Sequence, residues 1–158
     1  MESFRGRFTN KIDAKGRISV PAKFRTVANA QGLNGIVCFP SIQGDFLEGC
    51  GPAFSDTIDE MLNKLDPFSR ERDALAAILL GDSVELMFDA DGRIVLPEEL
   101  RHHAKIKDEA TFVGLGEKFQ IWEPKAFEAF RSDAVERARA NGGLLRSPFA
   151  IGPNGGGQ

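Results

Sequence analysis

Five consecutive residues, Asp13-Ala14-Lys15-Gly16-Arg17, put a carboxylate, two cations and a glycine into one short stretch of chain. Cations carried at a tight bend suit a phosphate backbone, because the glycine lets the main chain approach closely and offers its amide as a further donor. Asp13 precedes Arg17 by four residues and, across the bend, is positioned to hold the guanidinium by a bidentate bond. An arginine fixed in this way loses less entropy on binding an anion. The plainer alternative is an ordinary turn with a surface ion pair, since Asp, Gly and Lys are common turn residues.

Other reactive residues are poorly placed. His102 and His103 are adjacent on a predicted helix, so their side chains diverge by about 100° and do not converge on one metal ion. Cys38 and Cys50 form no Cys-x-x-Cys pair and are expected to be reduced in a cytosolic chain. No nucleophile elbow, P-loop or dinucleotide fingerprint is present. The expectation is a protein without catalytic residues, cofactor, metal site or evident small-molecule ligand.

The bend occurs twice. Asp13-Ala14-Lys15-Gly16-Arg17-Ile18-Ser19-Val20-Pro21 returns 76 residues later as Asp89-Ala90-Asp91-Gly92-Arg93-Ile94-Val95-Leu96-Pro97. The same offset pairs Phe8 with Val84, Ile12 with Phe88, Phe24 with Leu100, Arg25 with Arg101 and Ala28 with Ala104. The match resumes at an offset of 73, with Phe46 against Phe119, Ala53 against Ala126 and Phe54 against Phe127. Two copies are too few for a solenoid and point to a pseudo-symmetric pair. The copies differ where charge matters, because Asp91 stands where the first copy has Lys15. The first loop is therefore expected to be the main anion-binding element and the second a structural partner or auxiliary contact, with Arg93 paired to Asp89.

The elements that carry these loops read as mostly β. Residues 6–12 and 17–20 flank the first bend as a β-hairpin pattern, and 83–88 and 93–96 flank the second. Pro21 and Pro97 end the strands and open short helices at 22–30 and 98–104. Strands follow at 35–40, 46–48, 110–115 and 119–122. Helices are expected from Phe54 to Leu65, again after Asp66-Pro67, and from Pro124 to Ala140. Because one repeat exposes sheet edges and half a core, the two copies are expected to interleave and close a small barrel. The tail from Asn141 is rich in glycine and is read as flexible.

The chain has 158 residues and a net charge of −3, with 42% hydrophobic and 27% charged residues, which is an ordinary globular composition. The overall sign argues against a nucleic-acid partner, but the distribution argues for one. Residues 1–30 hold seven Lys and Arg, including Arg5 and Arg7, against two Asp and Glu, a net +5 that leaves −8 for the remainder. No apolar run approaches the roughly 20 residues that cross a bilayer, and the first residues lack a signal-peptide core, so a cytoplasmic location without a membrane partner is expected.

Phe4-Arg5-Gly6, the pattern Asp13-x-Lys15-Gly16-Arg17-x-Ser19-x-Pro21, its second form Asp89-x-x-Gly92-Arg93-x-x-x-Pro97, and Leu79-Leu80-Gly81 together resemble the MraZ family of bacterial transcription regulators. The resemblance covers about residues 1–140. It implies an α+β, mostly β fold of two AbrB-like swapped-hairpin repeats at 4–50 and 80–123, with connecting helices at 53–79, a C-terminal helix at 124–140 and a tail at 141–158. It also implies a ring-shaped homo-oligomer, associated with the nucleoid, that binds double-stranded DNA at short direct repeats upstream of the division and cell-wall gene cluster as a repressor. The DNA-binding residues so implied are Lys15, Gly16 and Arg17, with Gly92 and Arg93 as counterparts; from the residues themselves, Arg5 and Arg7 of the basic first stretch are also expected to bind DNA, and Asp13 and Asp89 to orient the arginines. An AbrB-like antitoxin-type module that binds an acidic protein surface is the competing expectation.

Overall fold

The computed structural model describes residues 2–146. Two compact units are present, Met1–Pro124 and Lys125–Gln158. The first unit runs β1 (Arg7–Lys11), β2 (Arg17–Ser19), α1 (Ala22–Ala30), β3 (Gly35–Pro40), β4 (Leu47–Cys50), α2 (Pro52–Asn63), α3 (Arg70–Ala76), β5 (Val84–Met87), β6 (Arg93–Val95), α4 (Glu98–His103), β7 (Glu109–Gly114) and β8 (Lys118–Trp122). The helix α5 (Pro124–Ala140) forms most of the second unit, where Phe127 and Phe130 pack ring to ring and Arg137 pairs with Asp133 at 2.7 Å. A short 3₁₀ turn at Gly142–Leu144 follows it, and the rest of the tail read as flexible, from Ser147, lies outside the described residues.

The expected strands and helices form, but the first hairpin does not close on itself. β1 pairs with β7 of the other copy, Phe8 opposite Phe112, and β2 pairs with β6, leaving a lone bridge between Ile12 and Ile18 to join the two arms. By the same exchange β5 pairs with β3, while β3–β4 and β7–β8 are true hairpins. The result is a six-stranded antiparallel sheet in the order β1-β7-β8-β4-β3-β5 beside a two-stranded β2–β6 ribbon. This order is unchanged when the two copies are interchanged, so the repeat in the sequence becomes a pseudo-two-fold axis. The axis passes the Ile18–Ile94 pair in the ribbon and the β4–β8 pairing in the sheet.

The fold is α+β and mostly strand, with the copies interleaved, yet the expected barrel is not closed. β1 and β5 remain as outer strands of an open sheet. The reason lies in the four-residue bends, which turn the chain out of the sheet into the ribbon. Ile18 and Ile94 then join the apolar core instead of extending the ladder. Pro21 and Pro97 stop the ribbon strands with extended backbone, and their carbonyls accept the first helical amides, from Arg25 and Arg101, both at 3.0 Å.

The main core draws on both copies. Phe4, Phe24, Phe112 and Phe119 are fully enclosed, with the Phe24 ring 5.0 Å from Phe119 and edge-on to Phe4 at 5.3 Å. Burying each contributes about 1.5–3 kcal/mol. A second cluster joins Val37, Phe39 and Cys50 to Ile58 and Leu62 of α2, with Leu75 and Leu79 packed on it. α3 starts at Arg70, not at Pro67, because Ser69 caps it by accepting the Arg72 amide at 3.0 Å. Glu48, buried at the centre of the sheet, accepts hydrogen bonds from Ser41 Oγ and Lys118 Nζ, each at 2.8 Å.

Two predictions follow from this packing. Gly16 and Gly92 have φ of +84° and +76°, and an added Cβ would press on the Leu96 carbonyl or collide with the Arg25 guanidinium. Alanine at either is expected to lower stability in urea titrations by about 1–3 kcal/mol, against less than about 0.5 kcal/mol for Gly142→Ala, where no atom lies within 4 Å. Cys38 and Cys50 are free and buried, and burial raises both thiols, Cys50 to about 12. Neither is expected to react with a disulfide reagent at pH 8 until the protein is unfolded, so a burst of labelling in native buffer would contradict this packing.

Candidate nucleic-acid interface

Each bend is organised by its aspartate. Asp13 donates its amide to the Arg17 carbonyl and accepts the Gly16 amide on its own carbonyl, both at 3.0 Å, which closes the turn. Its side chain divides the work between two oxygens. Oδ1 accepts the Lys15 and Arg17 amides, each at 2.9 Å, and Oδ2 accepts Arg17 Nε at 2.6 Å. Asp89 repeats the pattern with Asp91 and Arg93 amides at 2.8 and 2.9 Å and Arg93 Nε at 2.8 Å. The Arg17 amide, then the Arg17 side chain, holds the Asp13 carboxyl below the usual carboxylate range, and the Arg93 groups do the same for Asp89. In return the Asp89 hydrogen bond raises the Arg93 guanidinium.

Two expectations need correcting. The aspartate does not grip the guanidinium with both oxygens, because one is committed to the turn's own amides. Nor is the Gly16 amide open to a ligand, since it closes the turn on Asp13. What remains to meet a ligand is the outer end of Arg17, whose Nη groups have no partner among the described residues. Arg93 differs, because Asp91 Oδ2 lies 3.3 Å from its Nη2 in addition to the Asp89 bond.

The glycines serve the other copy. Gly16 accepts the Leu96 amide at 2.8 Å, and Gly92 accepts the Val20 amide at 3.1 Å. Arg101 donates to the Leu96 carbonyl at 3.0 Å and Arg25 to the Val20 carbonyl at 2.9 Å, bracing the chain beside each bend. Each loop is thus seated against a helix of the opposite repeat, and the missing Cβ is what lets Arg25 lie over Gly92. Arg25 and Arg101 hold the chain beside each bend, a role the sequence does not show although it displays their register at the 76-residue offset.

The β2–β6 register brings the two arginines together. Arg17 faces Val95 and Ser19 faces Arg93, so these four side chains share the outer face while Ile18 and Ile94 point to the core. Arg17 and Arg93 are diagonal neighbours, about 7–8 Å apart. Lys15 is exposed at the tip of the first bend, and Asn10 Nδ2 ties β1 to the ribbon through the Ser19 carbonyl at 2.8 Å. Arg5 lies elsewhere: beyond the opposite end of β1, roughly 25 Å of strand from the bend, it donates to Ser3 Oγ at 2.8 Å. Arg7 opens β1 opposite Val113.

The remaining candidates do not converge. His103 Nε2 contacts the Gly44 carbonyl at 3.0 Å, and no cluster of three metal-ligating side chains exists among the described residues. No helix among them is long and apolar enough to cross a membrane. A groove of about 500 Å³ lies between α1 and α2, lined by Val27, Ala30, Phe54 and Thr57, a feature the sequence reading did not anticipate. Its Gln31 Oε1 is already taken by the Ala53 amide at 2.9 Å.

Comparison with known proteins agrees with the family resemblance. A family model described as "MraZ protein, putative antitoxin-like" matches residues 79–142. The chain is 62% identical to the transcriptional regulator MraZ of Parvibaculum lavamentivorans over 99% of both chains. It is 41% identical to that of Rickettsia bellii over 93% of this chain and 99% of the relative, and 43% identical to that of Pelagibacter ubique over 90% and 92%. With near-complete coverage at this identity, the chain belongs to the MraZ family.

Proposed function

We propose that the chain is a sequence-specific regulator of transcription that grips double-stranded DNA with the outer face of the β2–β6 ribbon. The observation that carries this reading is the pair of aspartate-held arginines, Arg17 and Arg93, side by side on one exposed face. A preset guanidinium suits the guanine edge in the major groove, and Lys15 beside it suits a phosphate. The relatives' shared name supports the regulatory role. Gly16 and Gly92 set the loops, Arg7 adds a cation on β1, and Arg5 adds one beyond the far end of β1, away from the bend.

One ribbon offers few contacts, so useful affinity comes from several ribbons acting together on tandem sites. A ring-shaped homo-oligomer at short direct repeats upstream of the division and cell-wall genes, acting in the cytoplasm at the nucleoid as a repressor, fits this need. Phe68, 92% exposed on the bend between α2 and α3, and the exposed Ile42 supply apolar surface for contacts between copies. Residues 4–50 and 80–123 are taken as the two AbrB-like repeats, 53–79 as their connection, 124–140 as a C-terminal helix and 141–158 as a tail.

The antitoxin-like description of the family model favours a second reading, in which the same face meets an acidic protein surface. Salt separates the two. Phosphate contacts release counterions, so DNA affinity is expected to fall with salt at a log–log slope of about −0.9 per contact. A flat response on duplex DNA would reject the DNA reading. Arg17→Ala is expected to lower specific binding roughly tenfold or more in a gel-shift assay while leaving the thermal melt in place. Arg93→Ala is expected to cost less, because Asp91 offsets its charge, and unchanged binding by Arg17→Ala would displace the first loop from the interface.

A further inference from the structure

The two halves of the ribbon have the same frame and opposite charge. Asp13 and Asp89 make the same three bonds, Gly16 and Gly92 take the same positive φ, and Arg101 and Arg25 brace the two bends alike. The parts that do not build the frame diverge. In the 76-residue register the exposed Lys15 is replaced by Asp91, and the exposed Lys11 at the end of β1 by Met87 at the end of β5. The first bend therefore presents Lys15 without an ion pair among the described residues, while Lys11 at the strand end stands opposite Glu109 in the β1–β7 ladder. The second presents a carboxylate, 74% exposed, that also draws on Arg93 Nη2 at 3.3 Å.

Half a revolution about the pseudo-two-fold axis exchanges the two bends and returns the ribbon and the six-stranded sheet to the same strand order. Shape alone would thus let the ribbon lie on a duplex in two orientations of similar energy. From this we infer that Lys15 and Asp91, seconded by Lys11 and Met87, are orientation-determining residues: each subunit meets DNA in one polarity, its first bend against the phosphates and its second turned to the less crowded flank. This rests on the DNA-binding reading above and adds to it which end of the ribbon leads. One phosphate contact changes affinity roughly eightfold between 0.1 M and 1 M salt, so a difference of one contact is enough to bias the orientation. Asp91 contributes by like-charge repulsion as well as by lacking the cation.

The test uses the full chain and a duplex retained by it from a random pool. Ala14 and Ala90 are exposed at the tips of the two bends, and the native cysteines are buried, so Ala14→Cys and Ala90→Cys each accept an iron-chelate cleavage reagent at one place. With the native charges, the label at 14 is expected to cut the duplex on one flank of each protected segment and the label at 90 on the other. In the Met87→Lys/Asp91→Lys background each label is expected to cut both flanks, with affinity raised roughly eightfold per added phosphate contact at 0.1 M salt. Asp91→Lys alone, at an exposed position, gives the same test in weaker form if the double variant does not fold. One-sided cutting that persists in the variants, or two-sided cutting with the native charges, overturns the inference while leaving DNA binding intact. Failure of the native chain to retain any duplex, with no salt-dependent binding, removes the DNA-binding reading itself and this inference with it.

Discussion

The structure depends on a reciprocal exchange: each bend is completed by backbone hydrogen bonds from the opposite repeat. The Leu96 amide reaches Gly16 and the Val20 amide reaches Gly92, so neither loop has its observed form without the other copy in place. A single repeat would leave its one ribbon strand unpaired and expose the face of Phe24, or of Phe112, that packs on the other copy. That cost in unmade backbone hydrogen bonds and exposed apolar surface falls on any isolated half. Joining the copies in one chain makes the exchange intramolecular and fixes one ribbon per subunit.

The aspartate at each bend links fold to site. Its carboxylate satisfies two turn amides and orients an arginine, so one side chain shapes the backbone and fixes the direction of the guanidinium. An exposed ion pair of this kind adds little to stability, because solvent screens it. Its effect is on the arginine's freedom. The lowered pKa of Asp13 and Asp89 keeps both carboxylates charged across the ordinary pH range, and the arrangement weakens only as pH falls through their depressed values.

Much of this was legible in the sequence, for identifiable reasons. The 76-residue register located both bends, and Pro21 and Pro97 marked the helix starts, because glycine and proline act through local backbone geometry that tertiary packing rarely overrides. Strand pairing was less legible. The pattern around Asp13 to Gly16 fits a closed hairpin as well as an open one, since a four-residue bend with alternating flanks is the same string in either case. Only the competition for Phe112 and Thr111 as partners of β1 decides between them, and those residues lie about a hundred positions away. The bracing arginines are hidden in the sequence for a related reason. Arg25 and Arg101 are ordinary helix-surface residues until the opposite repeat's glycine lies beneath them.

The charge layout gains meaning from that same frame. A duplicated element preserves whatever the exchange requires, and here it preserves the aspartates, the glycines, the held arginines and their braces. Residues outside the exchange are free to diverge, and Lys15 and Asp91 have diverged to opposite signs on one exposed face. A net −3 chain can therefore present a locally cationic bend without spreading positive charge over its whole surface. Screening makes this workable: at physiological salt a charge is felt over about 8 Å, so carboxylates farther than that from Lys15 contribute little to the potential at the bend. That distance is close to the spacing of Arg17 and Arg93 on the ribbon, so Lys15 and Asp91 each set the potential mainly at their own bend.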